Sequence, residues 1–299
     1  MPPDFREMIV DAIEGQDSLW GRTRQMTTST NSITFPVDAT APWDAANGPQ
    51  VVNLLEGAQK PPSKPSLTPF TTAVHKSIAL VPMTDELLED APALNAYMRA
   101  EMPQRFAHHI NNLLINGTGV NQAQGILVSG EKIEVTAGAA TAANPFLHET
   151  VKKMWARMYA PWRRNAVWLM HQDIESTLDG LAFNDAPAAG PAVPIYLPAG
   201  SVANQPYDTL KGRPVIACQE CAAPGSPGDV ILWSPDRYIS LMRRGGLKQD
   251  VSIHVYFDFD MTAFRFVLRI GGKTLLQSPT AQRNGGNTLS SVVTIATRP

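Results

Sequence analysis

Cysteine is nearly missing from this chain. Cys218 and Cys221 are the only two in 299 residues, so no disulfide framework holds the fold. Long apolar runs are missing as well. No stretch reaches the roughly 18 consecutive apolar residues of a membrane-spanning helix, and no membrane partner is expected. The opening MPPDFREMIV has no basic region followed by an apolar stretch, so it does not read as a secretory signal. Charge is scarce: charged residues make up 17% of the chain and the net charge is −2, against a norm of about 25% charged. That balance excludes a strongly basic nucleic-acid binder and an acidic disordered chain. There is no solenoid-type repeat, no GxSxG elbow and no HExxH.

What is present in excess is proline, 25 residues of 299, beside a hydrophobic fraction of 43% that supplies a sizeable core. A charge-poor chain points to surface that meets other protein, since interface cores are depleted in charge.

The pattern along the chain is that of an α+β protein. Asp4–Gly15 places Phe5, Met8, Ile9 and Ile13 at spacings near three and four, which predicts a short amphipathic helix. Gln25–Asn31 is polar and rich in Thr and Ser, and reads as an extended arm. Ser32–Thr40 alternates and is β-branched, a strand confined by Pro36 to an edge. Gln50–Leu55 suggests a second short strand. Lys60–Pro69 holds four prolines and two lysines, a composition that favours extended, solvated backbone. Phe70–Met83 then returns as one long strand. Residues 32–83 thus read as a long projecting hairpin, which needs a partner surface for stability.

The strongest helical signal follows. Leu94, Met98, Met102, Phe106 and Ile110 recur every fourth residue, with Leu113 and Leu114 closing the face. At 1.5 Å per residue that helix runs about 35 Å, and Pro103 should kink or split it. Helices over 146–165 and 173–182 are expected downstream, with a Pro-, Ala- and Gly-rich loop over 184–208. Strands are expected at Ala166–Met170, Pro214–Ala217, Val230–Trp233, Tyr238–Met242, Val251–Phe257, Ala263–Ile270 and Thr288–Ala296.

Few constellations carry chemistry. Cys218-Gln219-Glu220-Cys221 is a CxxC, a possible redox pair. Zinc needs four ligands and no second pair or nearby His completes them. His108 and His109 are neighbours on a helix, about 100° apart, and do not face one metal together. Asn116-Gly117-Thr118-Gly119 follows a helix instead of opening one and lacks the Lys-Ser/Thr ending of a phosphate loop. Asp258 and Asp260 alternate in FDFD and would share one strand face, a polar edge or a cation site. Arg163-Arg164 and Arg243-Arg244 are small basic clusters suited to a nucleic-acid backbone or to an acidic patch on a neighbour. Lys60 and Lys64 sit near the hairpin tip, where they could meet a neighbour's carboxylate.

The stretch Val81–Leu127, VPMTDELLEDAPALNAYMRAEMPQRFAHHINNLLINGTGVNQAQGIL, resembles the HK97-type major capsid proteins of tailed phages. The match lies in its Thr-acidic-Glu-Leu-Leu opening, its long spine helix, its Leu-Leu-x-Gly-x-Gly-like close and the Gly-Ile that follows. Ala166–Asp173, Leu210–Ile216 (LKGRPVI), Gly228–Tyr238 and Ser252–Arg269 are similar to later family segments in the same order, so the resemblance spans most of the chain.

The resemblance implies an architecture. Residues 1–31 would be an N-terminal arm, and 32–80 the extended E-loop hairpin with its flanking strands. Residues 81–130 would form a peripheral domain with the spine helix, and 131–243 an axial domain. Residues 244–272 would return to the peripheral domain, and 273–299 would close the axial one. Glu56–Pro61 resembles the E-loop segment whose lysine, in the type member, forms an isopeptide bond to a neighbour's asparagine with a glutamate assisting. That places the lysine at Lys60. The partner positions fall on Thr262 and Arg269, so covalent crosslinking is not expected. Glu56, Lys60, Lys64, Phe70, Arg163, Arg164, Arg243 and Arg244 are the candidate intersubunit contacts.

The implied function is a non-enzymatic one. The chain is expected to form pentamers and hexamers in an icosahedral shell around double-stranded DNA, touching that DNA weakly. Portal and scaffolding proteins, and a decoration or cement protein, are the implied partners. No cofactor or metal is implied. The location is the virion, and the host cytoplasm during assembly. Family relatives carry a cleavable scaffolding segment that this sequence does not show, so scaffolding is expected either to have been removed or to be supplied separately. The alternatives are an encapsulin-type compartment and a thiol-disulfide enzyme using Cys218 and Cys221.

Overall fold

The computed structural model describes residues 18–38, 40–44, 48–86, 93–137, 146, 148–178, 181, 196–197 and 208–297, with backbone alone over 93–100. The helix expected over Asp4–Gly15 lies outside them. So does the 184–208 loop, apart from residues 196–197 and 208. The chain divides into two units, Met1–Ile33 with Thr72–Ser129 and Pro235–Thr274, and Thr34–Thr71 with Gly130–Ser234 and Leu275–Pro299.

The first unit is built on β1 (Arg24–Thr28), β4 (His75–Thr84), β11 (Tyr238–Arg243), β12 (Lys248–Tyr256) and β13 (Met261–Thr274). They form one sheet in the order β1-β11-β13-β12, with β4 also on β13. β13 is the organiser. It pairs antiparallel with β4 from Met261↔Thr84 to Ile270↔His75, with β12 through its first half, and with β11 at its end. Its sequence, MTAFRFVLRIGGKT, is β-branched and aromatic until Gly271-Gly272. Those glycines are required. A Cβ at Gly271 would stand 1.9 Å from the Ala73 carbonyl oxygen, and one at Gly272 2.3 Å from the Tyr238 hydroxyl. The Tyr238 hydroxyl, passing over Gly272, donates to the Gln124 carbonyl at 2.9 Å.

The spine helix α1 runs over Ala93–Asn116 with Pro103 inside it. Met102, Phe106, Ile110, Leu113 and Leu114 are buried, which is the face the four-residue spacing predicts. The side chains of Leu94 and Met98 lie outside the described residues. Gly117 and Gly125 close the turn after the helix, each with backbone 2.2–2.5 Å from a would-be Cβ.

Three expectations are corrected in this unit. Residues 25–28 are not an unpacked arm: β1 pairs in parallel with β11 from Arg24↔Ile239 to Thr28↔Arg243. Its hydroxyls are what allow it. Thr23 Oγ1 bonds Ser240 Oγ at 2.6 Å, and the buried Thr28 hydroxyl bonds Thr30, so a polar segment packs without orphaned groups. Phe70–Met83 is not one strand: it breaks at Val74, whose N–H donates to the Asn31 carbonyl at 2.8 Å. Asp258 and Asp260 do not share a strand face. Phe257–Phe259 is a 3-10 turn and Asp260 is left-handed at φ 49°, so the FDFD stretch reverses the chain between β12 and β13.

In the second unit, β2 (Ser32–Asp38) and β3 (Leu67–Ala73) form a two-stranded ribbon. Thr34 bonds Thr71, Phe35 meets Phe70, and Thr68 donates to Val37. These partners step in opposite directions, so the ribbon is an antiparallel hairpin. Both strands are edges, which accommodates Pro36. The second strand expected at Gln50–Leu55 is not formed. Residues 49–66 carry no strand at all and are exposed throughout, since Pro49, Pro61, Pro62 and Pro65 remove ladder donors on either side.

The remainder of this unit is a sheet in the order β5-β14-β10-β6-β9-β8-β7. Its strands are β5 (Ile133–Val135), β6 (Val167–Met170), β7 (Tyr196–Leu197), β8 (Thr209–Leu210), β9 (Arg213–Ala217), β10 (Val230–Trp233) and β14 (Val292–Ile295). The central strands read VWLM, VILW and VVTI and are buried throughout, the continuous apolar signature of strands covered on both faces. Helices α2 (His148–Arg157) and α3 (Gln172–Leu178) lie in the same unit. Phe146, Met154, Trp168, Leu232 and Val293 share its core, and Trp168 Nε1 donates to the Leu210 carbonyl. The helix expected over 146–165 is two pieces. α2 stops at Arg157, Tyr159 turns out of helical geometry at ψ 131°, and Ala160–Asn165 resumes as 3-10. Pro161 causes this, because it has no N–H to give and crowds the preceding turn.

Candidate functional site

Among the described residues no group of three His, Cys, Asp or Glu side chains comes together as a metal site. No helix among them is long and apolar enough to cross a membrane. The candidate functional features are surfaces.

The first is the segment between β2 and β3. Val51 is fully exposed and Leu55 is 87% exposed, with Val52 and Leu54 near half. Glu56 and Gly57 form a turn in which the Ala58 N–H donates to the Leu55 carbonyl at 3.1 Å, and Gly57 takes φ +81°, a conformation that suits glycine. Glu56, Lys60 and Lys64 are all exposed. Four large apolar side chains thus stand in solvent beside three charges, the kind of exposed patch that marks candidate interaction surfaces. Phe70 differs from its fellow candidates. It is buried, with its ring centroid 5.2 Å from that of Phe35, so it stiffens the ribbon from within.

A second apolar strip lies on the first unit. Val251, Ile253 and Val255 on β12, and Phe257 and Phe259 in the turn after it, are all more than half exposed. Among the described residues β12 pairs only with β13, an edge of the kind that invites another chain.

The basic clusters take different roles. Arg163 Nε donates to the Met158 carbonyl at 3.0 Å and its guanidinium lies 5.2 Å from the Trp155 ring centroid; partial burial lowers its pKa. Arg163 thus serves largely to hold the turn after α2. The Arg164 carbonyl accepts from Arg213. Arg243 Nη1 and Arg269 Nη1 both donate to Asn31 Oδ1, at 3.2 and 3.3 Å. Arg244 is exposed, and its N–H donates to the Thr28 carbonyl. Thr262, at the position the resemblance gives to an asparagine, is buried and donates to Asp85 Oδ1 at 2.6 Å.

Cys218 and Cys221 are free thiols in a turn after β9, with sulfurs 3.0 Å apart. The hydrogen bond with Cys218, and then burial, push the Cys221 thiol far above its ordinary value. No helix follows the motif. A thiol so hard to ionise, without a helix N-terminus to favour the thiolate, is a poor nucleophile.

Sequence reasoning locates Glu56, Lys60 and Lys64 in the exposed segment but passes over Val51, Val52, Leu54 and Leu55 by reading them as a strand. Their signal is present in the prolines flanking them. Asn31 is also missed, because its role depends on two arginines more than 200 residues away.

Comparison with known proteins adds to this geometry. A family model described as the phage capsid family matches residues 1–280. The capsid of an empty GTA particle, computed with C5 symmetry, superposes with a TM-score of 0.70 at 16% identity, covering 94% of this chain and 90% of that one. A structure from Microbacterium phage Oxtober96 gives 0.62 at 16% identity, with 94% and 91% covered. The asymmetric unit of the bacteriophage PhiM1 mature capsid gives 0.57 at 8% identity, with 94% and 87% covered. No curated protein sequence matches. At such identities the structural likeness is one of fold.

Proposed function

The chain belongs to the phage capsid family, and from that membership and its HK97-like fold we propose how this major capsid protein works. It assembles as pentamers and hexamers into an icosahedral shell that encloses double-stranded DNA. The observation that carries the assembly reading is the segment 49–66, whose apolar side chains stay in solvent and whose prolines keep it from pairing within its own chain. Such a segment gains stability only by lying on another copy. The E-loop of the family corresponds to the ribbon and this segment. The peripheral domain corresponds to the part built on α1 and β13, and the axial domain to the seven-stranded sheet.

Each contact between copies needs to supply only modest free energy, because every subunit makes several at once. Contact with the enclosed DNA is weak and non-specific, a reading supported by the slightly acidic net charge of −2. Portal and scaffolding proteins, and a cement protein, are the partners a shell of this kind calls for, with assembly in the host cytoplasm and the finished location in the virion. The shell is held without covalent links: Thr262 offers no amide to Lys60, and Arg269 no carboxylate. The role is structural, with no catalytic step.

Electron microscopy of the purified chain tests this. Closed shells or capsomers, with and without co-expressed scaffolding, are expected. A chain that stays monomeric at high concentration in both cases contradicts the proposal. A ladder of high-mass bands on a boiled denaturing gel would contradict the non-covalent part.

A further inference from the structure

Three cations stand in a row across the sheet of the first unit, and among the described residues no carboxylate forms an ion pair with them. Arg269 on β13 pairs with Lys76 on β4. Met242 on β11 pairs with Ile270 on β13, so Arg243, the next residue, comes level with Arg269. Residues level across adjacent strands project from the same face. The geometry agrees, since Arg243 and Arg269 reach one atom, Asn31 Oδ1. Arg244 adds a fourth positive charge next in sequence.

Like charges directly opposite one another destabilise a sheet, and one neutral amide oxygen offsets little of that. Some other cations of the chain are neutralised locally: Arg265 bonds Asp250 at 2.6 Å, Lys132 bonds Glu134 at 2.8 Å, and Arg105 and Lys153 bond glutamates one helical turn away. Arg265 lies on the same strand as Arg269, four residues before it, and has its acid. Among the described residues no carboxylate pairs with Lys76, Arg243 or Arg269.

We infer that the row Lys76–Arg269–Arg243 is a notch for an anion, and that its occupant in the shell is the carboxylate of Glu56 from a second copy. The inference rests on the shell reading above. Glu56 is the single acidic residue of segment 48–66. It is exposed in a turn that Gly57 makes possible, directly after Leu54 and Leu55, whose apolar side chains stand in solvent. Among the described residues no cation of its own chain pairs with its carboxylate. A carboxylate has two oxygens to share between two guanidiniums, the geometry in which charge-assisted bonds are strongest. A duplex, by contrast, is gripped by a track of cations, and this row is short on a chain that is slightly acidic overall.

The test is a charge swap read by the critical concentration for shell assembly. Glu56→Arg and Arg269→Glu should each raise it about fivefold or more, the scale of a well-formed, partly exposed ion pair. The double variant E56R/R269E should bring it back toward wild type. Glu56→Gln should produce a weaker loss in the same direction, with unchanged thermal unfolding of the subunit. A double variant no better than the singles, while wild-type shells form normally, overturns the notch and leaves the shell reading standing. The notch is overturned equally if Arg269→Glu assembles at the wild-type concentration but its shells retain less nucleic acid by absorbance, which would assign the row to phosphate. Failure of the wild-type chain to form any shell overturns both.

Discussion

Replacing Val51 and Leu55 together by aspartate separates folding from assembly. Val51 is fully exposed and Leu55 87% exposed in the isolated chain, so neither contributes to its core. Folding of the subunit should therefore be indifferent to the change, with a thermal midpoint within about 1 °C of wild type by circular dichroism. Assembly should not be indifferent. Full burial of an aliphatic side chain of this size stabilises by about 1.5–3 kcal/mol, so the pair supplies about 3 kcal/mol at the lower end. Losing it weakens each contact by more than about a hundredfold. Aspartates carried into a dry contact add a further desolvation cost. Analytical ultracentrifugation across a concentration series, with electron microscopy of the same samples, measures the outcome. Shells forming at the wild-type concentration would refute the reasoning, because the segment would then lie in solvent in the shell as well. A lowered subunit midpoint would refute it differently, by showing that the segment packs on its own chain.

Other outcomes follow from single groups. Gly271→Ala drives a Cβ to within 1.9 Å of the Ala73 carbonyl; the strands must part there, at a cost of about 1–3 kcal/mol, seen as a lowered midpoint, while Gly212→Ala, with no atom within 4 Å at φ +69°, suffers only from its left-handed backbone. Cys221 should alkylate far more slowly than a free thiol at about pH 8.5, because its thiolate is disfavoured in the fold, and Cys218→Ser/Cys221→Ser chains should still assemble; loss of shells would give the pair a role in assembly. Tyr238 is fully buried and its phenol is held above the ordinary value of 10.0 by desolvation. The unfolded chain gives up that proton first, so this contribution to stability is complete below about pH 10 and falls as pH rises beyond it; Tyr238→Phe should flatten that decline. Burial and then the charge of His108 lower the pKa of His109 below 6.5; in His108→Gln the His109 resonance should titrate closer to that value by NMR.

The apolar elements are legible in the sequence and the polar ones are not. Strands such as Val230–Trp233, and the buried face of α1 at Met102, Phe106 and Ile110, are readable because burial writes itself as a run or as a period. β1 is not, since RQMTT carries no such pattern. It packs because Thr23 and Thr28 find partners on Ser240 and Thr30, and partners distant in sequence leave no local trace. The helix over 146–165 is overextended in the sequence because its apolar spacing continues past Arg157, while Pro161 decides the backbone. In the FDFD stretch the aromatic alternation mimics a strand, yet Asp260 tolerates the left-handed conformation that closes the turn. For the candidate surfaces the same division holds: the charges of segment 49–66 are visible, whereas the row Lys76–Arg269–Arg243 exists only once β4, β13 and β11 are side by side.

Low charge and exposed apolar surface are two sides of one constraint. A monomer that left Val51, Leu55, Val251, Ile253, Val255, Phe257 and Phe259 in water would ordinarily need a dense field of charge to stay dispersed. This chain, at 17% charged and a net charge of −2, does not have one. Adding charge would protect the free subunit but would also be carried into every contact, where each unpaired ion costs several kcal/mol to desolvate. The composition therefore suits a chain whose free state is brief. Its apolar strips sit where backbone pairing is blocked, by proline in segment 49–66, or where a strand has no outer neighbour among the described residues, as in β12. Both places can accept another copy without rearranging the cores beneath them. It follows that free subunits should aggregate as ionic strength rises, when what little repulsion they have is screened, whereas closed shells, with those strips covered, should tolerate the same salt. Turbidity of the two species across a salt series measures this, and shells that precipitate together with free subunits would show that the strips remain open after assembly.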